Sequence, residues 1–196
     1  MKIRKHYFLL ILGVILLDQL AKVWVHFNME LGIEGQIVLV GDWLKLHYTT
    51  NPGMAFGLNP GIETGTLFLI RLGFVLVIGF FIYLLAQNRV RSRVIWSMAL
   101  ILGGAIGNLI DNAFYGALLG NSSQSSTSPW FNGQVIDLIY LDVWKGIVAP
   151  DIPILGGKYL ILFPIFNLAD MAIFVGVISI LFTTRRYRSS GDYYTP

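Results

Sequence analysis

Ionisable and amide side chains interrupt the apolar runs of this 196-residue chain at helical spacings. Asp18 and Lys22 stand four residues apart, about 40° around a helix axis, close enough to pair. Asn108 and Asp111 are three apart, as are Asn167 and Asp170, so each couple shares a helix face. Asp137 is placed differently, behind Val135 and Ile136 in a stretch with strand character. An ionised group in a membrane costs roughly 2.5–3.5 kcal/mol on insertion scales, so each of these needs a partner or a water pocket.

For Asp18 and Lys22 the simplest account is a structural ion pair that orients the helices. Arg71, near the end of its apolar run, reads as a snorkelling cation. Asp170 lies well inside an apolar run and needs more. Two carboxylates sharing one site cannot easily both ionise: one keeps its proton while the other accepts a proton from water. That is enough for peptide hydrolysis without metal, serine or cysteine. The chain contains no cysteine, which excludes thiol nucleophiles, disulfides and cysteine metal sites. The residues alone do not bring Asp137 and Asp170 together. An acid-lined cation or proton transporter using Asp18, Asp111 and Asp170 fits them as well. A scaffold packed through the Gly103 and Gly107 pair leaves Asp170 without a role.

The elements that carry these groups are membrane spans. Hydrophobic residues make up 55% of the chain and charged ones 13%, against about 25% in soluble domains. Mean hydropathy is +0.67. Spans of about 20 apolar residues are expected at 7–27, 66–86, 94–111 and 160–184, with Pro164 near the start of the last. The first run is read as a retained span, because a cleaved signal peptide would have a shorter apolar region and a small-residue exit. The fold class expected is an all-α membrane bundle of four transmembrane helices with a small extracytoplasmic β-sheet, in one integral membrane domain over 1–196.

Charge sets the direction. Lys2, Arg4, Lys5, Arg89, Arg91, Arg93, Arg185, Arg186 and Arg188 are nine of the 14 basic residues, and all flank the same ends of the spans. The positive-inside rule puts those ends, and both termini, in the cytoplasm. The external segments are then 28–65 and 112–159. The first holds strand-like stretches at 36–40 and 43–48 around a Gly41-Asp42 turn signal. The second begins with a polar, Ser-rich loop at 120–129 and continues into a strand-like stretch at 134–143. Basic residues clustered beside apolar runs are a membrane pattern, and no nucleic-acid partner is expected.

Five short motifs in order resemble those of the lipoprotein signal peptidase (signal peptidase II) family, aspartyl peptidases of the bacterial inner membrane. They are Asp18-Gln19-x-x-Lys22; Asn51-Pro-Gly53-Met-Ala55-Phe56; Gly103-Gly104-Ala-Ile-Gly107-Asn108-Leu-Ile-Asp111; Val135-Ile-Asp137; and Phe166-Asn167-Leu-Ala169-Asp170. Each is weak alone; together they span nearly the whole chain. The resemblance implies that Asp137 and Asp170 are the catalytic pair. It implies that Asn51, Gly53, Asn108, Asp111, Asn112 and Asn167 line or brace the site, with Asp18 and Lys22 in support. It implies a diacylglyceryl-modified prolipoprotein as substrate, cut just before the lipidated cysteine at the outer membrane face, membrane lipid as surroundings, and a monomer working without metal or cofactor. The chain departs from the family where Asn112 follows Asp111, a position that commonly carries Arg; Arg71 is a candidate substitute. The Ser-rich insert is the second departure.

Overall fold

A computed structural model describes residues 5–52, 63–87, 92–122, 128–153 and 156–189, the last six by backbone alone. The chain runs α1 (Lys5–Asn28), β1 (Ile37–Val40), β2 (Leu44–Asn51), α2 (Thr64–Gln87) and α3 (Ser92–Ile110). A π-helical turn (Asp111–Tyr115) and a short α4 (Gly116–Leu118) continue α3. Then come β3 (Val135–Leu141), β4 (Lys145–Ile147), β5 (Tyr159–Ile161) and α5 (Leu168–Ser189). Among the described residues, three helices are long and apolar enough to cross a membrane: α1, α2, and α3 with its continuation to Leu118. In α5 the apolar stretch is shorter, Leu168–Thr183.

Large apolar side chains point outward along the helices: Phe8, Leu17 and Phe27 on α1, Leu69, Phe74 and Phe80 on α2, Phe174 and Phe182 on α5. Lipid is the solvent that suits such a surface. Between helices in lipid the hydrophobic effect supplies little, so close contact of small residues must hold them together. Helix α3 is built for this role, packing against α1, α2 and α5. A Cβ on Gly107 would come within 2.8 Å of the Asp18 carboxylate, and one on Gly104 would strike the Ala169 carbonyl. These glycines let a carboxylate and a helix N-terminus approach the backbone of α3.

The sheet is antiparallel in the order β1-β2-β3, with a hairpin turn at Gly41, whose φ of 49° favours glycine. It seats on one end of the bundle through Val25 and Met29 from α1, Tyr48 from β2, Tyr115, and Ile136 and Leu138 from β3. A separate hairpin, β4-β5, follows.

The helices depart from the apolar runs at two places. The apolar stretch from 160 does not start a helix: 159–161 is strand β5, and α5 begins at Leu168. The reason is local. Pro164 disfavours helix in the residue before it, and Asn167 caps α5: its Oδ1 accepts the Asp170 N–H at 2.9 Å, while Asp170 Oδ2 receives the Asn167 N–H at 3.4 Å. This reciprocal pair three residues apart is a capping box, a strong helix-start signal. The second departure is at Asp111, where the helix does not end but widens into the π turn. Asp111, Asn112, Ala113 and Tyr115 are all buried there.

Candidate active site

Three elements converge on Asp137. In the β2–β3 register Asn51 faces Val135 and Thr49 faces Asp137, so Asn51 and Asp137 are diagonal neighbours on one face of the sheet. Asn51 Nδ2 donates to Asp137 Oδ2 at 3.1 Å. On its other side β3 meets the segment leading into α5. The Leu138 and Ile139 N–H groups both donate to the Phe166 carbonyl, at 3.1 and 2.8 Å, and the Phe166 N–H returns a bond to Ile139. That bridge sets Asn167, one residue on, beside Asp137: Asn167 Nδ2 donates to Asp137 Oδ1 at 2.7 Å.

Asn167 therefore joins the two acids. One end of its side chain holds Asp137 and the other accepts the Asp170 N–H. Asp170 Oδ1 also receives Asn108 Nδ2 at 2.8 Å. Asp137 is 3% exposed and Asn167 is fully buried, whereas Asp170 is half-buried. Burial first, and the negative charge of Asp170 second, push the Asp137 carboxyl up to about 7; the amide bonds from Asn51 and Asn167 oppose this. A carboxyl that keeps its proton near neutral pH beside a second carboxylate has the makings of a general acid–base pair.

Beneath this pair lies a second, charged layer. Lys22 Nζ contacts Asp18 at 2.8 Å, Asp111 at 2.7 Å and the Asn108 side-chain oxygen Oδ1 at 2.9 Å. Lys22, Asp18 and Asp111 have no exposed surface. Asp18 Oδ1 accepts the Ala169 N–H at 2.9 Å, an anion placed at the positive end of α5. Asp111 Oδ2 accepts the Ile136 N–H at 3.2 Å and so ties α3 to the strand that carries Asp137. These contacts bring Asp18 and Lys22 together as an ion pair and carry the network on to α3, α5 and β3.

Two residues absent from the sequence-derived site belong to this network. Gln19 Nε2 donates to Asp111 Oδ1 at 2.9 Å and to the Gly107 carbonyl at 3.2 Å, and its Oε1 accepts the Tyr115 hydroxyl at 2.9 Å. A polar Gln beside Asp18 in an apolar run was the available signal. Arg71, read both as a snorkelling cation and as a candidate substitute for an Arg at position 112, turns inward, and its Nη1 donates to Asn112 Oδ1. Asn112 is fully buried and gives its own Nδ2 to the Gly133 carbonyl at 2.6 Å. Gly53 and the rest of its motif, at 53–56, lie outside the described residues. Among the described residues no buried side-chain nitrogen or oxygen lacks a partner, and no three metal-ligating side chains gather.

Comparison with known proteins points the same way. Residues 10–186 match the family model described as Signal peptidase (SPase) II. A lipoprotein signal peptidase from Amoebophilus asiaticus is 44% identical over 187 residues, covering 94% of this chain and 79% of that protein. One from Porphyromonas gingivalis is 36% identical, covering 88% and 79%. One from Chlorobaculum parvum is 36% identical, covering 90% and 92%. The fold is shared with two bacterial membrane enzymes solved by the in meso method. They superpose with TM-scores of 0.68 and 0.65 at 22% identity, over 99% and 93% of this chain and 96% and 94% of theirs. The transporter alternative gains nothing from these relatives. A match that spans almost the whole chain establishes that this chain belongs to the signal peptidase II family.

Proposed function

We propose that this protein is a membrane aspartyl endopeptidase that removes the signal peptide from diacylglyceryl-modified prolipoproteins, cutting just before the lipidated cysteine. The observation that carries the reading is Asn167, which joins Asp137 and Asp170 into one hydrogen-bonded unit. In the reaction one carboxylate takes a proton from water as the water oxygen attacks the scissile carbonyl carbon. The other, protonated, carboxyl gives its proton to the carbonyl oxygen. When the intermediate collapses, the amine leaves with the first proton and the second returns. No step calls for a metal or cofactor.

The protein works as a monomer in the bacterial inner membrane, as one domain of four spans with both termini in the cytoplasm and the site near the outer face. The placement of the basic residues supports that orientation. A cysteine carrying two acyl chains keeps the scissile bond near the interface, and the outward apolar side chains of the helices suit the chains themselves.

The direct test is cleavage by purified protein in detergent. A prolipoprotein bearing the diacylglyceryl group should be cut and its unmodified counterpart should not; equal cutting of both would overturn the lipid requirement. Orientation is tested with Ser92→Cys and Ser125→Cys, since no native cysteine competes. An impermeant thiol reagent should label the Ser125 variant alone on intact cells, and the reverse pattern would invert the topology.

A further inference from the structure

The two acids at the centre of the site are surrounded differently. Asp137 is held by the side-chain amides of Asn51 and Asn167 and, among the described residues, is in no ion pair. Asp170 sits in the first turn of α5, where the helix dipole favours an anion. The Asn108 amide that donates to it has its own carbonyl oxygen bound to the Lys22 ammonium. Among the described residues the charged groups around the pair are Lys22 from α1, with Asp18 behind it, Asp111 after α3, and Arg71 from α2. Lys22 is already engaged by Asp18 and Asp111. Among the described residues that leaves Arg71, whose Nη1 reaches Asn112, four residues beyond the Asn108 that holds Asp170, so that Asp170, Asp111 and Asp137 lie in its field. Its direction is set by Asn112, itself bonded to Gly133.

We propose that Arg71 is a positioning residue that holds the single negative charge of the pair on Asp170 and leaves the shared proton on Asp137, so that Asp170 is the base and Asp137 the acid. This rests on the aspartyl reading above and assigns its two roles. Asp170 takes the water proton and passes it to the departing amine nitrogen. Asp137 protonates the carbonyl oxygen and recovers that proton as the new carboxylic acid forms. The burial of Asp137, which favours its protonated form, acts in the same direction as the cation beside Asp170.

The experiment is the pH profile of kcat for cleavage of the diacylglyceryl prolipoprotein in detergent. Removing a cation makes each proton of the pair harder to lose. Arg71→Gln should therefore move both limbs of the bell to higher pH, by about one unit. Arg71→Lys keeps the charge and should leave the limbs in place, even where the rate falls with the Asn112 contact. Arg71→Gln combined with Asn112→Arg returns a cation to the partner position and should restore the wild-type limbs. A folded Arg71→Gln protein with unmoved limbs, whatever its rate, overturns the proposal. If that variant does not fold, displaced limbs in Arg71→Lys overturn it and unmoved limbs with a restored double variant support it. Asp137→Asn and Asp170→Asn measured in parallel separate the two levels. Turnover by either sinks the aspartyl reading itself. Two inactive Asn variants with unmoved Arg71→Gln limbs sink only the role of Arg71.

Discussion

Asp137 and Asp142 are five residues apart on and just beyond β3, yet they live in opposite environments. Asp142 is met by Lys45 at 2.7 Å and Lys145 at 2.9 Å, and accepts the Tyr140 hydroxyl at 2.9 Å. Those hydrogen bonds hold its carboxyl well below the usual carboxylate range. Asp137 has only amide partners among the described residues, is buried, and is pushed up to about 7. One residue type on and just beyond one strand thus becomes either a carboxylate kept charged by lysines or a carboxyl that burial inclines to keep its proton. The difference lies in what is packed over each, since lysines reach one while Asn51 of β2 and Asn167, just before α5, close over the other.

Substitution should separate the two sites most sharply in the rate. Asp137→Asn and Asp170→Asn should each reduce cleavage by at least about 10²–10⁴-fold, the usual share of general acid–base catalysis. Acting as a unit, they should be non-additive, the double variant hardly slower than either single one. Asp142→Asn should cleave at the wild-type rate. A gel-based cleavage assay decides, and an Asp142 variant as slow as the Asp137 variant would erase the contrast. Chelator should leave the wild-type rate unchanged; its loss would point to a carboxylate-bound metal ion.

The next effect is on folding. Lys22→Met strands Asp18 and Asp111 as buried charges, a loss of about 3–5 kcal/mol, and should lower yield and thermal stability in detergent. Asp18→Asn should act in the same direction and less, because its amide can still accept the Ala169 N–H. Either variant melting like wild type while wholly inactive would move the ion pair from bracing to catalysis.

Smaller, and of opposite sign at the two sites, is the dependence of stability on pH. A carboxyl raised in the folded state stabilises below its unfolded pKa of about 3.9, and that contribution is lost as pH rises through the folded value near 7. Asp137→Asn should therefore melt higher than wild type above pH 7, with the gap closing towards pH 4. Asp142, depressed, contributes above its unfolded pKa and loses that contribution only as pH falls through its lower folded value. Asp142→Asn should show a slight loss at neutral pH, further reduced by salt because the cluster is near the surface. Melting curves across pH test both, and a destabilised Asp137→Asn protein at pH 8 would contradict the burial argument.

Much of this was legible from residue order. Apolar run length located α1, α2 and α3, and the strand-like stretches around the Gly41-Asp42 turn signal located the β1–β2 hairpin, because these depend on neighbours a few residues away. The start of α5 was legible too, in Asn167 and Asp170 as a capping box, but the apolar stretch before Pro164 masked it. The π turn had no such signal: its wider winding is held by what Asp111, Asn112 and Tyr115 bond to across the fold.

By itself the sequence determined a membrane protein with acids and amides paired at helical intervals, since hydropathy and spacing are local properties of the chain. Which groups meet was decided only by tertiary structure. The Ile139–Phe166 bridge joins residues 27 positions apart and carries Asn167 to Asp137. Arg71 reads in sequence as a cation reaching for water, and only the packing of α2 against the π turn directs it to Asn112. Partners that far apart in the chain are chosen by burial and hydrogen-bond satisfaction across elements, and no periodicity in a single segment encodes that choice.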